Sequence, residues 1–251
     1  IQSALFANID HNKIEIIQEK LEKLSKTDFG YYVTLEDKRI LSCSLVIGAD
    51  GPQSKVRDLA AIKISSIDYE QKAIIANIRT EQSFFDSTWQ RFLSNSIVAI
   101  LPLSENQASI VWSCKNYLAD ELEAAGAKDF NKLLSEAVEY RFGNIQLQSE
   151  RKIFPLIARS AQEYTLPNLA LIGDAAHSIH PLAGQGANLG FSDVKELNSQ
   201  LLKSGDKPLG DHSILRKYAR ARRLDNELMA KTMTGLDWIY KENNEPLRWL
   251  R

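Results

Sequence analysis

Short apolar segments with strand-like patterns stand near the start of the chain. Residues 31–35 and 45–47 are rich in β-branched and aromatic residues and are separated by turn-forming residues, so both predict strands. Residues 14–24 are ambiguous, because Ile14, Ile17, Leu21 and Leu24 have helical spacing whereas the neighbouring β-branched residues favour a strand. We predict strands there. Residues 2–8 resemble the end of a helix.

The middle of the chain changes from a strand pattern to a helix pattern. Residues 73–78, 97–101 and 109–113 predict strands of an antiparallel sheet, since polar turns separate them. Residues 116–142 carry apolar positions at helical spacing, and Gly126 divides them into two helices. A further strand is predicted at 149–157.

The last third of the chain predicts a buried strand, a glycine-rich segment and two helices. Residues 169–172 are all apolar, which is typical of a parallel strand covered on both faces. Glycines follow at 184–190, and helices are predicted at 191–203 and 211–240. The predicted fold class is α/β, or α+β overall. A parallel-sheet domain (1–66 and 151–251, the latter with the C-terminal helices) carries an inserted antiparallel domain (67–150).

Composition and charge narrow the class of protein. The 251 residues are 44% hydrophobic and 25% charged, which is ordinary for a globular chain. The net charge of -1 gives no electrostatic reason to expect a nucleic-acid partner. Cys43 and Cys114 are far apart in apolar segments, so we predict buried thiols rather than a disulfide scaffold. No apolar run approaches the roughly 20 residues that span a bilayer.

The segment 173–190 is the strongest candidate for binding chemistry. Asp174 follows the buried strand, where a carboxylate can accept hydrogen bonds from a chain of hydroxyl groups. A glycine-rich turn before a helix lets backbone amides approach an electron-rich ligand. Gly184, Gly186 and Gly190 miss the dinucleotide spacing Gly-x-Gly-x-x-Gly by one residue. Three glycines alone would also suit a turn without a ligand.

These segments allow two other interpretations. Asp174, His177 and His180 could bind a metal on one helical face, but Pro181 and the glycines disfavour a continuous helix, so we predict no metal site. Residues 45–57 form a strand, an Asp-Gly turn and a helix start, which alone is usually structural. The chain has neither a Gly-x-Ser-x-Gly elbow nor a P-loop.

Together, two of these segments resemble a known family. "LVIGADGPQSKVR" and "LALIGDAAHSIHPLAGQGANLGFSD" are similar to the Asp-Gly and Gly-Asp motifs of FAD-dependent aromatic-ring hydroxylases of the p-hydroxybenzoate hydroxylase fold, and most similar to the ubiquinone-biosynthesis branch. The resemblance implies that Asp174 contacts the ribityl chain of FAD, and that Asp50 and Arg57 support the pyrophosphate and the nicotinamide donor. The other implied cofactor residues are Gly173, Pro181, Gly184, Gln185, Gly186, Ala187 and Asn188.

The resemblance also implies an activity. Such an enzyme uses NAD(P)H and O2 to hydroxylate the ring of a polyprenylated phenol. A halogenase or a prenyl reductase on the same fold, and a flavin-free scaffold subunit, are the alternatives. The implied location is the cytoplasm, with possible peripheral contact at the inner membrane. Two partner assignments stay open: other ubiquinone-biosynthesis proteins, and further copies of this chain in a homo-oligomer. The basic stretch 215–223 suits a solvated helix face or an anionic surface.

One departure from the family pattern affects cofactor retention. These 251 residues hold no Gly-x-Gly-x-x-Gly unit for the adenosine half of FAD, so we expect a fragment that does not retain FAD. We also expect a side chain at Gly186 to be obstructed. In the inserted sheet, Ile100, Leu101 and Trp112 are expected to lie on the substrate side.

Overall fold

The computed structural model describes residues 2–84, 87–178 and 186–241. The helices there are α1 (Gln2–Ala7), α2 (Lys55–Leu59), α3 (Asn116–Ala124), α4 (Ala127–Ala137), α5 (Gly186–Leu202) and α6 (His212–Lys241). The strands are β1 (Leu21–Lys26), β2 (Tyr31–Leu35), β3 (Ile40–Cys43), β4 (Val46–Gly48), β5 (Ile64–Thr80), β6 (Trp89–Phe92), β7 (Ser96–Ser104), β8 (Gln107–Lys115), β9 (Ile145–Leu147), β10 (Lys152–Ala161), β11 (Thr165–Leu166), β12 (Leu169–Leu171) and β13 (His177–Ser178).

A seven-stranded antiparallel sheet occupies the middle of the chain. Its strand order is β13-β10-β5-β8-β7-β6, with β9 also paired to β5. The predicted antiparallel sheet is therefore confirmed. The long strand β5 pairs with β10 from Ile64 opposite Ala161 to Ile75 opposite Lys152. Because β10 and β13 follow residue 150, the sheet links the predicted segments 67–150 and 151–251. The domain boundaries stay a prediction.

Helices α3 and α4 cover one face of this sheet. Gly126 precedes α4 as its N-cap residue, as the division of the helix pattern predicted. Side chains from β5, β7 and β8 alternate, and every second one enters a core closed by the two helices. The fully buried members of this core include Ile74, Ile100, Ile110, Phe130 and Leu134.

A short mixed sheet carries the second core. Strand β12 pairs in parallel with β4 and antiparallel with β11, and all three β12 residues are buried. Leu215 and Tyr218 of α6 pack against it, and the Tyr218 hydroxyl donates to the Leu171 carbonyl at 2.8 Å. The mixture of a parallel pair and an antiparallel sheet confirms the predicted fold class.

The beginning of the chain differs in part from its prediction. Residues 2–7 are helical, and β1, β2 and β3 form an antiparallel sheet. The predicted strand over 14–24 is wrong for residues 14–20, since β1 begins at Leu21. Ile14 and Ile16 are 51% and 41% exposed, so apolar residues at these positions have no buried face to stabilise a strand.

Candidate functional site

Two turns lie at the same edge of the short mixed sheet. Strand β4 continues into Asp50 and Gly51, and β12 continues into a 3-10 turn formed by Gly173–Ala175. The strands are parallel, with Leu171 opposite Gly48, and the Ile172 amide donates to the Gly48 carbonyl at 2.9 Å. The carboxyl ends of parallel strands are where ligands bind in open α/β sheets. The fold thus brings the two sequence motifs together.

The turn after β12 contains a glycine in the left-handed backbone region. Gly173 has a φ of +57°, which a residue with a Cβ adopts at a cost. Asp174 is exposed, whereas Ala175 and Ala176 are buried. Asp174 is therefore exposed at a turn whose next two residues are buried.

Helix α5 begins beside this turn. A Cβ built on Gly190 would lie 3.6 Å from the Gly173 Cα, so the helix and the turn approach at their glycines. Gly186 is different: among the described residues, a Cβ there would meet nothing within 4 Å. The expected obstruction at Gly186 is therefore absent from this part of the chain, and Gly190 is the glycine at the close approach.

The described residues include only part of the predicted turn before α5. Gly186, Ala187 and Asn188 form the first turn of the helix. Pro181, Gly184 and Gln185 lie outside the described residues. Their contact with a flavin ring stays a prediction.

The Asp50 carboxylate caps a helix. Its Oδ2 accepts hydrogen bonds from the backbone amides of Lys55 at 2.7 Å and Val56 at 3.1 Å. The Ser54 hydroxyl accepts a third, from the Arg57 amide at 3.0 Å. Both side chains thus satisfy amides at the start of α2, which have no partner within the helix. Asp50 therefore has a structural role as a helix cap. Its contact with the cofactor stays a prediction.

Arg57 joins the two motif segments. The residue is only 5% exposed, and its Nη1 donates to the Ala175 carbonyl at 3.2 Å. Its Nη2 donates to the Pro52 carbonyl at 3.1 Å. The guanidinium therefore connects the segment after β4 to the turn after β12. Its predicted contact with the pyrophosphate or the nicotinamide donor stays a prediction.

A buried carboxylate behind the turn was missed by the sequence analysis. Asp193 of α5 has no exposed surface, and its Oδ2 accepts from the Gly173 amide at 2.8 Å and pairs with His177 Nε2 at 2.6 Å. Arg222 Nε of α6 donates to Asp193 Oδ1 at 2.7 Å. These four residues form what we call the Asp193 network. Burial alone would raise the pKa of Asp193, but the bonds from His177, Arg222 and Gly173 hold it below its usual value.

The metal alternative finds no support in the described residues. His177 directs its Nε2 to Asp193 and stacks on Tyr164 with ring centroids 5.6 Å apart. Within the described part of the chain, no group of three His, Cys, Asp or Glu side chains could hold a metal ion. His180 lies outside that part.

The two faces of the seven-stranded sheet differ from the expected assignment. Ile100 and Trp112 were expected on the substrate side, but both are buried in the core beneath α3 and α4, and Trp112 packs on Phe130. Leu101 points to the opposite face and is 41% exposed. Its apolar neighbours on this second face are the partly buried Ile75, Ile97, Ala99 and Val111, and the polar residues Asn77, Ser109 and Ser113 share the face.

Solved structures with this arrangement define the class of fold. PqsL of Pseudomonas aeruginosa, described as a probable FAD-dependent monooxygenase, superimposes with a TM-score of 0.76 at 22% identity, covering 89% of this chain and 64% of that one. The anhydrotetracycline hydroxylase OxyS of Streptomyces rimosus gives 0.68 at 23% identity, covering 92% and 47%. The fold is that of FAD-dependent monooxygenases.

The sequence gives the family. Residues 24–232 match the FAD binding domain family, and the chain belongs to it. It is 35% identical to the 3-demethoxyubiquinol 3-hydroxylase of Escherichia coli over 100% of this chain and 65% of that protein. It is also 35% identical to the ubiquinone biosynthesis monooxygenase COQ6 of Drosophila melanogaster, over 96% of this chain and 57% of that protein. The predicted resemblance is confirmed, and the chain spans roughly three fifths of these two relatives.

Proposed function

We propose that this chain carries the flavin and substrate site of an FAD-dependent monooxygenase that hydroxylates the ring of a polyprenylated phenol in ubiquinone biosynthesis. The observation that carries the proposal is the turn Gly173–Ala175, which presents Asp174 at the edge of the short mixed sheet beside the start of α5. The names of the two relatives supply the substrate class, since both belong to ubiquinone metabolism.

The residues at this edge fit the chemistry of FAD. A carboxylate such as Asp174 accepts hydrogen bonds from ribityl hydroxyl groups, and the amides at the start of α5 can donate to the electron-rich side of a flavin ring. Helix α5 passes beside the turn at Gly190, where a Cβ would lie 3.6 Å from the Gly173 Cα. Gly186, Ala187 and Asn188 would hold the ring, while Asp50 and Arg57 would support the pyrophosphate side.

When bound, FAD accepts electrons from NAD(P)H and activates O2 for insertion of one oxygen atom into the phenol ring. The protein's own task is to orient the ring and to keep water away from the reacting atoms. Arg57 contributes by fixing the Ala175 carbonyl, so that the turn keeps its place against the neighbouring motif. Electron donation by NAD(P)H is part of this proposal.

The second face of the seven-stranded sheet suits an apolar substrate. Ile75, Ile97, Ala99, Leu101 and Val111 lie there beside the polar Asn77, Ser109 and Ser113, and Leu101 is the most exposed of the five apolar residues. Strand β13, which is separated from the turn by Ala176 alone, pairs with Arg159 and Ser160 of β10, so the sheet is attached directly to the candidate flavin site. A prenylated phenol can lie on this face with its ring toward the flavin.

We also propose peripheral contact with the inner membrane, because a polyprenylated substrate resides in the bilayer. Within the described residues, no helix is both long and apolar enough to cross a membrane. On α6, exposed Lys217 and Arg220 precede exposed Leu224 and Leu228, a combination that suits an anionic membrane surface. Flotation with anionic vesicles tests this, and loss of flotation in a Leu224→Ser/Leu228→Ser variant is the expected result.

Isotope incorporation tests the activity. The full-length gene product is supplied with FAD, NADH or NADPH, a short-chain prenylated phenol and labelled O2. One labelled oxygen atom in the phenol supports the proposal, while label from water contradicts it. Chloride incorporation would favour the halogenase alternative, and a protein that binds no flavin would favour the scaffold alternative. Asp28→Asn, in an exposed loop, is a matched control for variants of Asp174.

A further inference from the structure

The Asp193 carboxylate is buried behind the candidate flavin site, and neither the cofactor contacts nor the substrate face uses it. It has no exposed surface, so it cannot touch FAD from its position inside α5. A buried carboxylate must be compensated by charge and by hydrogen bonds. Its partners therefore indicate what it does.

Three donors converge on Asp193 from three different elements. The Gly173 amide belongs to the turn after β12, His177 to β13, and Arg222 to α6, with distances between 2.6 and 2.8 Å. Arg222 also bonds Asn226 Oδ1 at 3.0 Å and Asp225 at 2.8 Å. Among the three donors to Asp193, His177 and Arg222 act through their side chains, and Gly173 acts through its backbone amide.

This set of partners requires a carboxylate rather than an amide. Both oxygens of Asp193 accept, one from Gly173 and His177 and the other from Arg222. An asparagine side chain in place of Asp193 would have only one accepting oxygen, so its NH2 group would have to face either the backbone N–H of Gly173 or Arg222. Because a charged donor forms the stronger bond, the oxygen would turn toward Arg222 and leave the Gly173 amide without an acceptor.

We propose that Asp193 is a positioning residue for FAD, acting through the backbone of Gly173. Its bond fixes the backbone amide of Gly173, the residue that immediately precedes Asp174, and thereby sets the direction in which the Asp174 carboxylate points. Stability alone does not call for this arrangement, because well-packed apolar residues commonly replace buried ion pairs without loss. This inference rests on the proposed flavin site.

The first test needs no cofactor. Amide hydrogen exchange of the peptide that contains Gly173 is compared between wild type and Asp193→Asn. We expect exchange at Gly173 to be at least ~10-fold faster in the variant, because an unbonded amide exchanges through smaller openings. The matched control is Asp225→Asn, which removes an exposed partner of the same Arg222. Unchanged exchange in Asp193→Asn would overturn the proposal.

The second test measures FAD affinity of the full-length gene product by flavin fluorescence. Asp193→Asn should bind FAD about tenfold more weakly, whereas Asp225→Asn and Leu134→Ala should match wild type. Leu134 lies in the core beneath the seven-stranded sheet, so its variant loses stability without touching the turn. A loss of affinity in Leu134→Ala equal to that in Asp193→Asn would assign the effect to stability and overturn the proposal.

A double variant separates positioning from general destabilisation. In Asp193→Asn/Arg222→Met, the competing charged donor is gone, so the amide oxygen is free to face Gly173. We expect FAD affinity and amide protection to recover toward wild type; a double variant as weak as Asp193→Asn would contradict the proposed route. If wild type binds no FAD, the proposed function fails, while the exchange test still reports on the bond between Asp193 and Gly173.

Discussion

Replacing Gly173 by alanine tests the conformation of the turn with an internal control. Gly173 has a φ of +57° and Gly205 one of +61°, so alanine meets the same backbone strain at both positions. A Cβ on Gly173 would lie 3.9 Å from the Gly190 Cα, an ordinary contact, and one on Gly205 would meet nothing within 4 Å of the described atoms. The two substitutions therefore differ in location rather than in strain.

The expected loss of stability is small and equal for the two variants. Left-handed backbone costs alanine about 1–2 kcal/mol. Alanine also lowers the conformational entropy of the unfolded chain, which stabilises the folded protein by roughly 0.4–1 kcal/mol. The net loss of about 1 kcal/mol corresponds to a fall in melting temperature of about 2–4 °C for a chain of this size. Differential scanning calorimetry measures this loss.

FAD affinity should separate the two variants. Strain at Gly173 is relieved by rotating the turn, which displaces the adjacent Asp174, so Gly173→Ala should bind FAD at least ~10-fold more weakly, equivalent to about 1.4 kcal/mol. Gly205→Ala should bind FAD as wild type does. Equal FAD affinities in variants with equal melting temperatures would refute the assignment of the turn to the flavin site.

Three further predictions concern capping, sheet faces and pH. Asp50→Ala should lower the free energy of unfolding by about 1 kcal/mol, since α2 loses its cap, and Asp28→Asn should not; urea unfolding measures both. Ile100→Ala should cost about 2–4 kcal/mol, whereas Leu101→Ala should cost under about 1 kcal/mol and raise KM for a prenylated phenol. The pKa of Asp193 is lower in the folded than in the unfolded state, where it is about 3.9. Its contribution to stability is therefore complete above about pH 5 and is lost as pH falls through the folded value, a decrease that Asp193→Asn should reduce in urea unfolding.

The sequence predicted the parts of the fold that depend on local patterns. An uninterrupted apolar run predicted β12, because a strand that is buried on both faces leaves this pattern whatever packs on it. β-Branched residues ending in Gly48 predicted the region of β4, although that strand is only partly buried and Ile47 is 44% exposed. Gly126 separated α3 from α4 for a similarly local reason. The two turns after β4 and β12 were recognised as motifs and are brought to one sheet edge.

The sequence did not predict which face of the sheet is buried or which residues pair with Asp193, because both depend on side chains that are distant along the chain. Alternation in β7 shows that Ile100 and Leu101 face opposite sides, but it does not show which side α3 and α4 cover. Asp193 and Arg222 are 29 positions apart, and no local pattern marks them as a pair. The one sequence signal for Asp193 was its position as the last residue of the Gly-Asp motif segment, residues 169–193.

An FAD titration tests whether Asp174, in the turn after β12, holds the cofactor. Full-length wild type and Asp174→Ala are titrated with FAD while flavin fluorescence is followed, with melting curves to show that both are folded. We expect saturable binding by wild type and a loss of affinity of at least ~100-fold in the variant, equivalent to about 2.8 kcal/mol. Equal FAD affinity in a folded Asp174→Ala protein would contradict this expectation.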